Sequence, residues 1–149
     1  MIDLTPEQCS RVLDEARVAH VACIADGEPY VTPMSFVILG GVLHFRTALG
    51  RRIDALRNDP RVSISVVRLG EGGSWQSVLI RGRARIIDDD RLEADVIAAL
   101  VHKYGDSPLA FSRPALLPEE RPVVAVDALE TTGRASTDPL GPAIHPGRV

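Results

Sequence analysis

His44–Val66 reads HFRTALGRRIDALRNDPRVSISV, and this stretch decides how the rest of the chain is understood. It begins as a strand, Leu43–His44–Phe45–Arg46–Thr47, breaks at Ala48–Leu49–Gly50, and restarts as a short helix predicted over Arg51 to Asn58. Asp59–Pro60 stops that helix, because proline disfavours helical backbone in the residue before it. A second strand follows, with Val62, Ile64 and Val66 alternating against Ser63 and Ser65. A strand, a glycine and a helix with free N–H groups at its positive end make a seat for an anion, with Arg46, Thr47, Gly50, Arg51 and Arg52 as its candidate residues. Arg51 and Arg52 oppose the helix dipole, a local conflict that a bound phosphate would resolve. Taken alone, a solvated basic helix end is the plainer interpretation, since short motifs often mislead.

Working outward, the residues before this stretch predict a helix and three strands. Thr5 is an N-cap, Pro6 the first helical residue and Gln8 the partner in a capping box; Cys9, Val12, Leu13 and Ala16 share one face of the helix. A strand is expected over Arg17 to Ile24, with Val18, His20, Ala22 and Ile24 on one face. Asp26–Gly27 turns it into a second strand, Tyr30 to Leu39, where Pro33 demands an edge or a bulge. Gly40–Gly41 turns again into Val42–Thr47, so these three strands are expected to form an antiparallel meander.

Beyond the central stretch, a glycine-rich loop at residues 69–74 leads to a long strand from Trp75. Its alternation puts Val78, Ile80, Gly82, Ala84 and Ile86 on one side and Leu79, Arg81, Arg83 and Arg85 on the other. Asp88 to Asp90 cap a helix whose Leu92, Val96, Leu100 and Tyr104 recur every fourth residue until Gly105 ends it. A proline-bearing loop, Pro108 to Pro122, precedes a last strand from Val123 to Leu129, extended towards Thr132. The sum is a mainly β domain of about six antiparallel strands with two or three helices, best closed as a small Greek-key barrel. Residues 1–137 form the single domain; 138–149 are a tail of proline and glycine.

With 149 residues, 45% apolar and 25% charged, the chain supports one core. A net charge of −3 gives no general pull towards nucleic acid or an anionic membrane. No apolar run approaches spanning length and Met1–Ile2–Asp3 lacks a secretory basic region, so a soluble, cytoplasmic protein is expected. Cys9 and Cys23 are expected to be small buried residues.

Three further places could carry chemistry. At Thr32–Pro33–Met34–Ser35, a proline inside a strand frees backbone groups that could bond a planar heterocycle; the alternative is an edge bulge. Trp75–Gln76–Ser77 offers an aromatic, an amide and a hydroxyl, or simply a tryptophan covering the core. His44 precedes Arg46 on the same strand face and is a candidate contact to substrate or ring. The stripe Arg81, Arg83, Arg85 lacks an aromatic platform and is expected to be a solvated face or a subunit contact, not a nucleic-acid surface. No metal site and no nucleophile–base set stands out.

In order, AHVACIADGEPYVTPMSF, GGVLHFRTALGRRIDALRNDPRVS and SWQSVLIRGRARIID resemble the pyridoxamine 5′-phosphate oxidase-like, FMN-binding split-barrel superfamily, closest to the branch of nitroimidazole-resistance proteins. The resemblance runs from about Thr5 to Ser136. It implies a six-stranded split barrel, a homodimer and two flavin sites at the subunit interface. By motif, Arg51 and Arg52, with Gly50 before them, fall on the phosphate ligands, and Arg46 and Thr47 on the strand end lining the flavin. Thr32 to Ser35 fall on the strand whose backbone meets the ring, and Trp75 to Ser77 where either subunit completes the pocket. The branch often has lysine at the place of Arg52. True pyridoxamine-phosphate oxidases grip their substrate with a C-terminal segment bearing tryptophan and arginine; here the segment after Asp127 has no tryptophan and ends in a proline-rich tail, so vitamin B6 oxidation is not expected. The expected activity is FMN-dependent redox chemistry on a small planar substrate, nitroaromatic or quinone-like. The alternatives are a deazaflavin-dependent reductase and a protein that stores or senses a flavin without turnover.

Overall fold

The computed structural model describes residues 1–105 and 121–136. The strands are β1 (Ile2–Asp3), β2 (Ala19–Ala25), β3 (Glu28–Met34), β4 (Val37–Leu39), β5 (Val42–Arg46), β6 (Arg61–Leu69), β7 (Trp75–Ile86) and β8 (Val123–Ala135). The helices are α1 (Pro6–Glu15), α2 (Arg51–Asn58) and α3 (Asp90–Tyr104). All recorded pairings are antiparallel, in one sheet ordered β3-β2-β6-β7-β8-β5-β4 with β1 added to β8.

The two ends of that order, β3 and β4, are consecutive in sequence, separated only by Ser35 and Phe36. Three peptide units span at most about 11 Å. The sheet must therefore curl until its first and last strands almost meet, joined by covalent chain rather than by a ladder of hydrogen bonds. That is a split barrel, the architecture the resemblance implied.

The expected meander is corrected by this geometry. The tight turns do form, with Asp26 and Gly27 at φ 54 and 76 and Gly40 and Gly41 at φ 60 and 76, but they make two separate hairpins. The strand expected over Tyr30–Leu39 breaks at Ser35–Phe36; β3 then pairs with β2, while β5 turns to β8. Pro33 sits in β3, on an edge, where its missing N–H breaks no ladder. The last strand runs on to Ala135, because residues 130–135 find partners in β7 and β1. The split second strand and the short β1 raise the count from the expected six to eight.

Two apolar layers result. Val62, Ile64 and Val66 of β6, Val78 and Ile80 of β7, and Ala19, Val21, Cys23 and Ala25 of β2 fill the barrel with Phe45, α1 and α2. In β2 the inward set is thus the one alternate to Val18, His20, Ala22 and Ile24. Both cysteines are buried and unbridged. The second layer lies under α3, whose Val96, Leu100 and Tyr104 meet Val37, Val123 and Ala125. The Tyr104 hydroxyl ties this layer to the split: it accepts from the Phe36 N–H at 2.9 Å and donates to the Arg17 carbonyl at 2.9 Å.

At the start of α1 the capping box forms as expected, with Gln8 N–H donating to Thr5 Oγ1 at 3.2 Å and Thr5 N–H to Gln8 Oε1 at 2.8 Å. Thr5→Ala leaves the Gln8 N–H at the helix end without its protein acceptor and is expected to cost about 1 kcal/mol, read from a urea midpoint. Among the described residues, no helix is long and apolar enough to cross a membrane.

Candidate functional site

The helix expected after Gly50 starts where it was predicted. Gly50 takes φ 140, a value that β-carbon-bearing residues avoid, and no side chain caps the helix. The first-turn N–H groups therefore have no capping oxygen. Arg52 reaches back across the turn, its Nη1 donating to Thr47 Oγ1 at 2.8 Å, while its Nε is buried with no partner. Arg51 and Arg52 both lie over the Tyr30 ring, at 5.0 and 5.7 Å from the centroid. Arg51 also approaches Asp26 at 3.9 Å, but both side chains are exposed, so this pair adds little. Tyr30 and Thr32 stand two residues apart on the inward side of β3, and Thr32 Oγ1 is a second buried atom with no partner.

Two guanidiniums, a hydroxyl and uncapped helix N–H groups thus converge on one spot with buried hydrogen-bonding capacity unused. A buried donor left unpaired costs about 1–3 kcal/mol, more when charged. A phosphate matches this donor set, because it brings negative charge and several acceptor oxygens. Tyr30 and Asp26 belong to the same place, although the sequence marks them only as a strand start and a turn. The usable signal was that Tyr30 directly follows the turn and shares its alternation with Thr32.

The other candidates are distributed more widely. Met34 and Ser35 are buried at the inner end of β3, and Pro33 points outward. His44 and Arg46 do share a face, but it is the layer beneath α3. The His44 Nδ1 lies 2.9 Å from the Val42 carbonyl; a carbonyl only accepts, so Nδ1 carries the proton. Burial holds the His44 pKa below its ordinary value, which favours the neutral ring. Arg46 is fully buried and its Nε donates to the Arg121 carbonyl at 3.2 Å. Burial and then Arg121 lower its pKa, with Glu93 opposing them. Arg46 therefore stands apart from the Arg51–Arg52 seat, on the other face of β5 from Phe45.

Trp75, Gln76 and Ser77 are also remote within one chain. Leu69 of β6 is paired with Trp75, whereas Ser63 is paired with Ala22, one residue before Tyr30's partner Cys23. The intervening residues of β6 separate the two places by about 20 Å along the strand. Trp75 N–H donates to Ser136 Oγ at 2.9 Å, and Gln76 Oε1 accepts from Arg68, which is itself paired with Glu15.

The arginine stripe is largely neutralised: Arg81 pairs with Glu130 and Arg85 with Asp127 on the neighbouring strand. A cleft of about 580 Å³ opens between α1 and the middle of β8, lined by Leu13, Ile38, Val42 and Ala128, and none of the predicted site residues lines it. Among the described residues, no group of three His, Cys, Asp or Glu could hold a metal ion.

The fold is a split barrel with a cluster of two arginines and an uncapped helix start between its first hairpin and α2. The chain belongs to the family described as pyridoxamine 5′-phosphate oxidase, whose model matches residues 5–135. An FAD-binding protein of Mesorhizobium loti shares its structure with a TM-score of 0.77 at 28% identity, over 91% of this chain and 98% of the other. A candidate 5-nitroimidazole antibiotic resistance protein of Bacteroides thetaiotaomicron gives 0.72 at 21% identity, over 90% and 86%. The FAD-binding protein of Mycobacterium smegmatis gives 0.68 at 23%, over 91% and 100%. At these lower identities the likeness concerns the fold. An uncharacterized protein of Rhizobium meliloti is 30% identical over 80 residues, 54% of this chain and about half of the relative, 53%.

Proposed function

We propose that this protein binds a phosphorylated flavin, FMN in the first instance, and uses it for redox chemistry on a small planar substrate of nitroaromatic or quinone-like kind. The observation that carries the proposal is the buried, unpartnered Nε of Arg52 beside Thr47 and an uncapped α2. Arg51, Arg52 and Thr47 would hold the phosphate. Backbone groups of Thr32 to Ser35, on an edge strand, would orient the ring. The flavin, when bound, supplies the electron transfer; the chain supplies anchoring, orientation and access.

The active form proposed is a homodimer with its sites at the subunit interface. Val31, Val67, Leu69 and Leu79 are all exposed, and the register of β3, β2, β6 and β7 puts them on the same outward sheet face. Such an apolar patch on a sheet face favours burial against a second copy. A second copy would also bring its own Trp75–Ser77 end to a seat that these residues do not reach within one chain.

A flavin with a longer anionic tail, FAD or a deazaflavin coenzyme, is the second reading. It is favoured by Arg51, whose side chain is 57% exposed at the mouth of the seat, and by the FAD bound by the M. loti relative. The test is release of the cofactor from natively purified protein, followed by mass identification. FMN supports the first reading, and FAD or a deazaflavin the second. A colourless protein that binds none of the three when they are added refutes both. Bleaching of bound flavin by NAD(P)H separates an enzyme from a storage protein.

A further inference from the structure

Of the seventeen lysines and arginines in the chain, Lys103 is the only lysine. It sits in the last turn of α3, partly buried, with its Nζ 3.8 Å from the centre of the Phe36 ring and 5.4 Å from that of Tyr104. The Arg17 guanidinium lies 4.8 Å from the same Tyr104 ring, and its Nη1 donates to the Lys103 carbonyl at 3.0 Å. Among the described residues, no carboxylate comes within ion-pair distance of either cation. An arginine could make the same aromatic contact, and this chain uses arginine at every other basic position. What lysine alone offers is an amine that can lose its proton and act as a nucleophile.

We propose that Lys103 is an acylation site, taking the acyl group of an acyl phosphate. The Nζ lone pair attacks the acyl carbon, the C–O bond to phosphate breaks, inorganic phosphate leaves, and the amine's proton passes to solvent as the amide forms. Arg17 spends one nitrogen on the Lys103 carbonyl, and the rest of its fork is available to the departing phosphate. The amide product also ends the repulsion between two cations that share the Tyr104 ring. The protonation equilibrium agrees: burial and then Arg17 push the Lys103 pKa down to about 8, with Asp14 of α1 opposing, and the remaining titratable neighbour, Tyr104, is held neutral by its own raised pKa. This inference is independent of the flavin.

Lys103 is the one lysine side chain in the sequence, so an amine reagent meets only it and a terminal amine. Incubation of the purified protein with acetyl phosphate at pH 7.5, read by intact mass and peptide mapping, is expected to place one acetyl group on Lys103. The rate should exceed that of free Nα-acetyl-lysine roughly tenfold, since the gain in neutral amine outweighs the lower basicity. Lys103→Arg should lose this label. Arg17→Gln should slow labelling severalfold, because removing the neighbouring charge raises the amine's pKa. Acetyl-CoA, whose leaving group is a thiolate, should react more slowly. Labelling confined to the terminal amine, a Lys103 rate equal to that of the free amino acid or unchanged by Arg17→Gln, or equal rates with the thioester would overturn the proposal.

Discussion

Replacing Arg51 and Arg52 together by methionine is expected to weaken flavin binding about a thousandfold, because each hydrogen bond to a charged group contributes about 1.5–3 kcal/mol. The same change should leave the stability of the cofactor-free protein nearly unaltered. It removes two cations from the positive end of α2 and an unpaired buried Nε, against the loss of the 2.8 Å bond to Thr47. Affinity and stability thus separate, which distinguishes a ligand-binding pair from a structural one. Flavin fluorescence titration and a urea curve on the same double variant measure both. Unchanged affinity would remove the basis of the proposed function; a large loss of stability without ligand would mean that the arginines serve the fold.

The second large effect falls on the barrel wall. Gly82 lies in β7 where the pairing with β8 shifts register, and a β-carbon there would come within 2.4 Å of the Asp127 carbonyl oxygen and 3.2 Å of Ala128 Cα. These are backbone atoms of the strand that links β7 to β5, so no side chain can swing away to make room. Gly82→Ala is expected to cost about 3 kcal/mol, at the upper end of ordinary overpacking, with a matching fall in the urea midpoint. A loss below about 1 kcal/mol would show that the bulge relaxes at little cost.

How much of this was legible in the chain depends on the range of each interaction. Thr5–Pro6–Glu7–Gln8, Asp26–Gly27, Gly40–Gly41, Asp59–Pro60 and Gly105 are local signals, and each acts where it was expected. The alternation in β6 and β7 was equally local, since period 2 assigns the inward face without knowledge of the partner strand. The meander failed for a complementary reason. A tight turn fixes only the two strands it joins, and the break at Ser35–Phe36 is held by the Tyr104 hydroxyl, 68 residues away. The site divides in the same way. Arg51, Arg52, Thr47 and Gly50 are neighbours in sequence and in space. Arg46, one residue from Thr47, belongs to another layer, because successive strand residues face opposite sides.

By itself, then, the sequence determined the helices, the turns, the inward faces of β6 and β7, and the grouping of Thr47, Gly50, Arg51 and Arg52 at the start of α2, all set by contacts within a few residues. Only the tertiary structure decided that the sheet curls into a split barrel, that Tyr30 stacks beneath both arginines, and that Trp75 lies a strand's length from them. Those placements depend on which distant strands share a ladder, and burial against remote partners settles that where local propensity cannot.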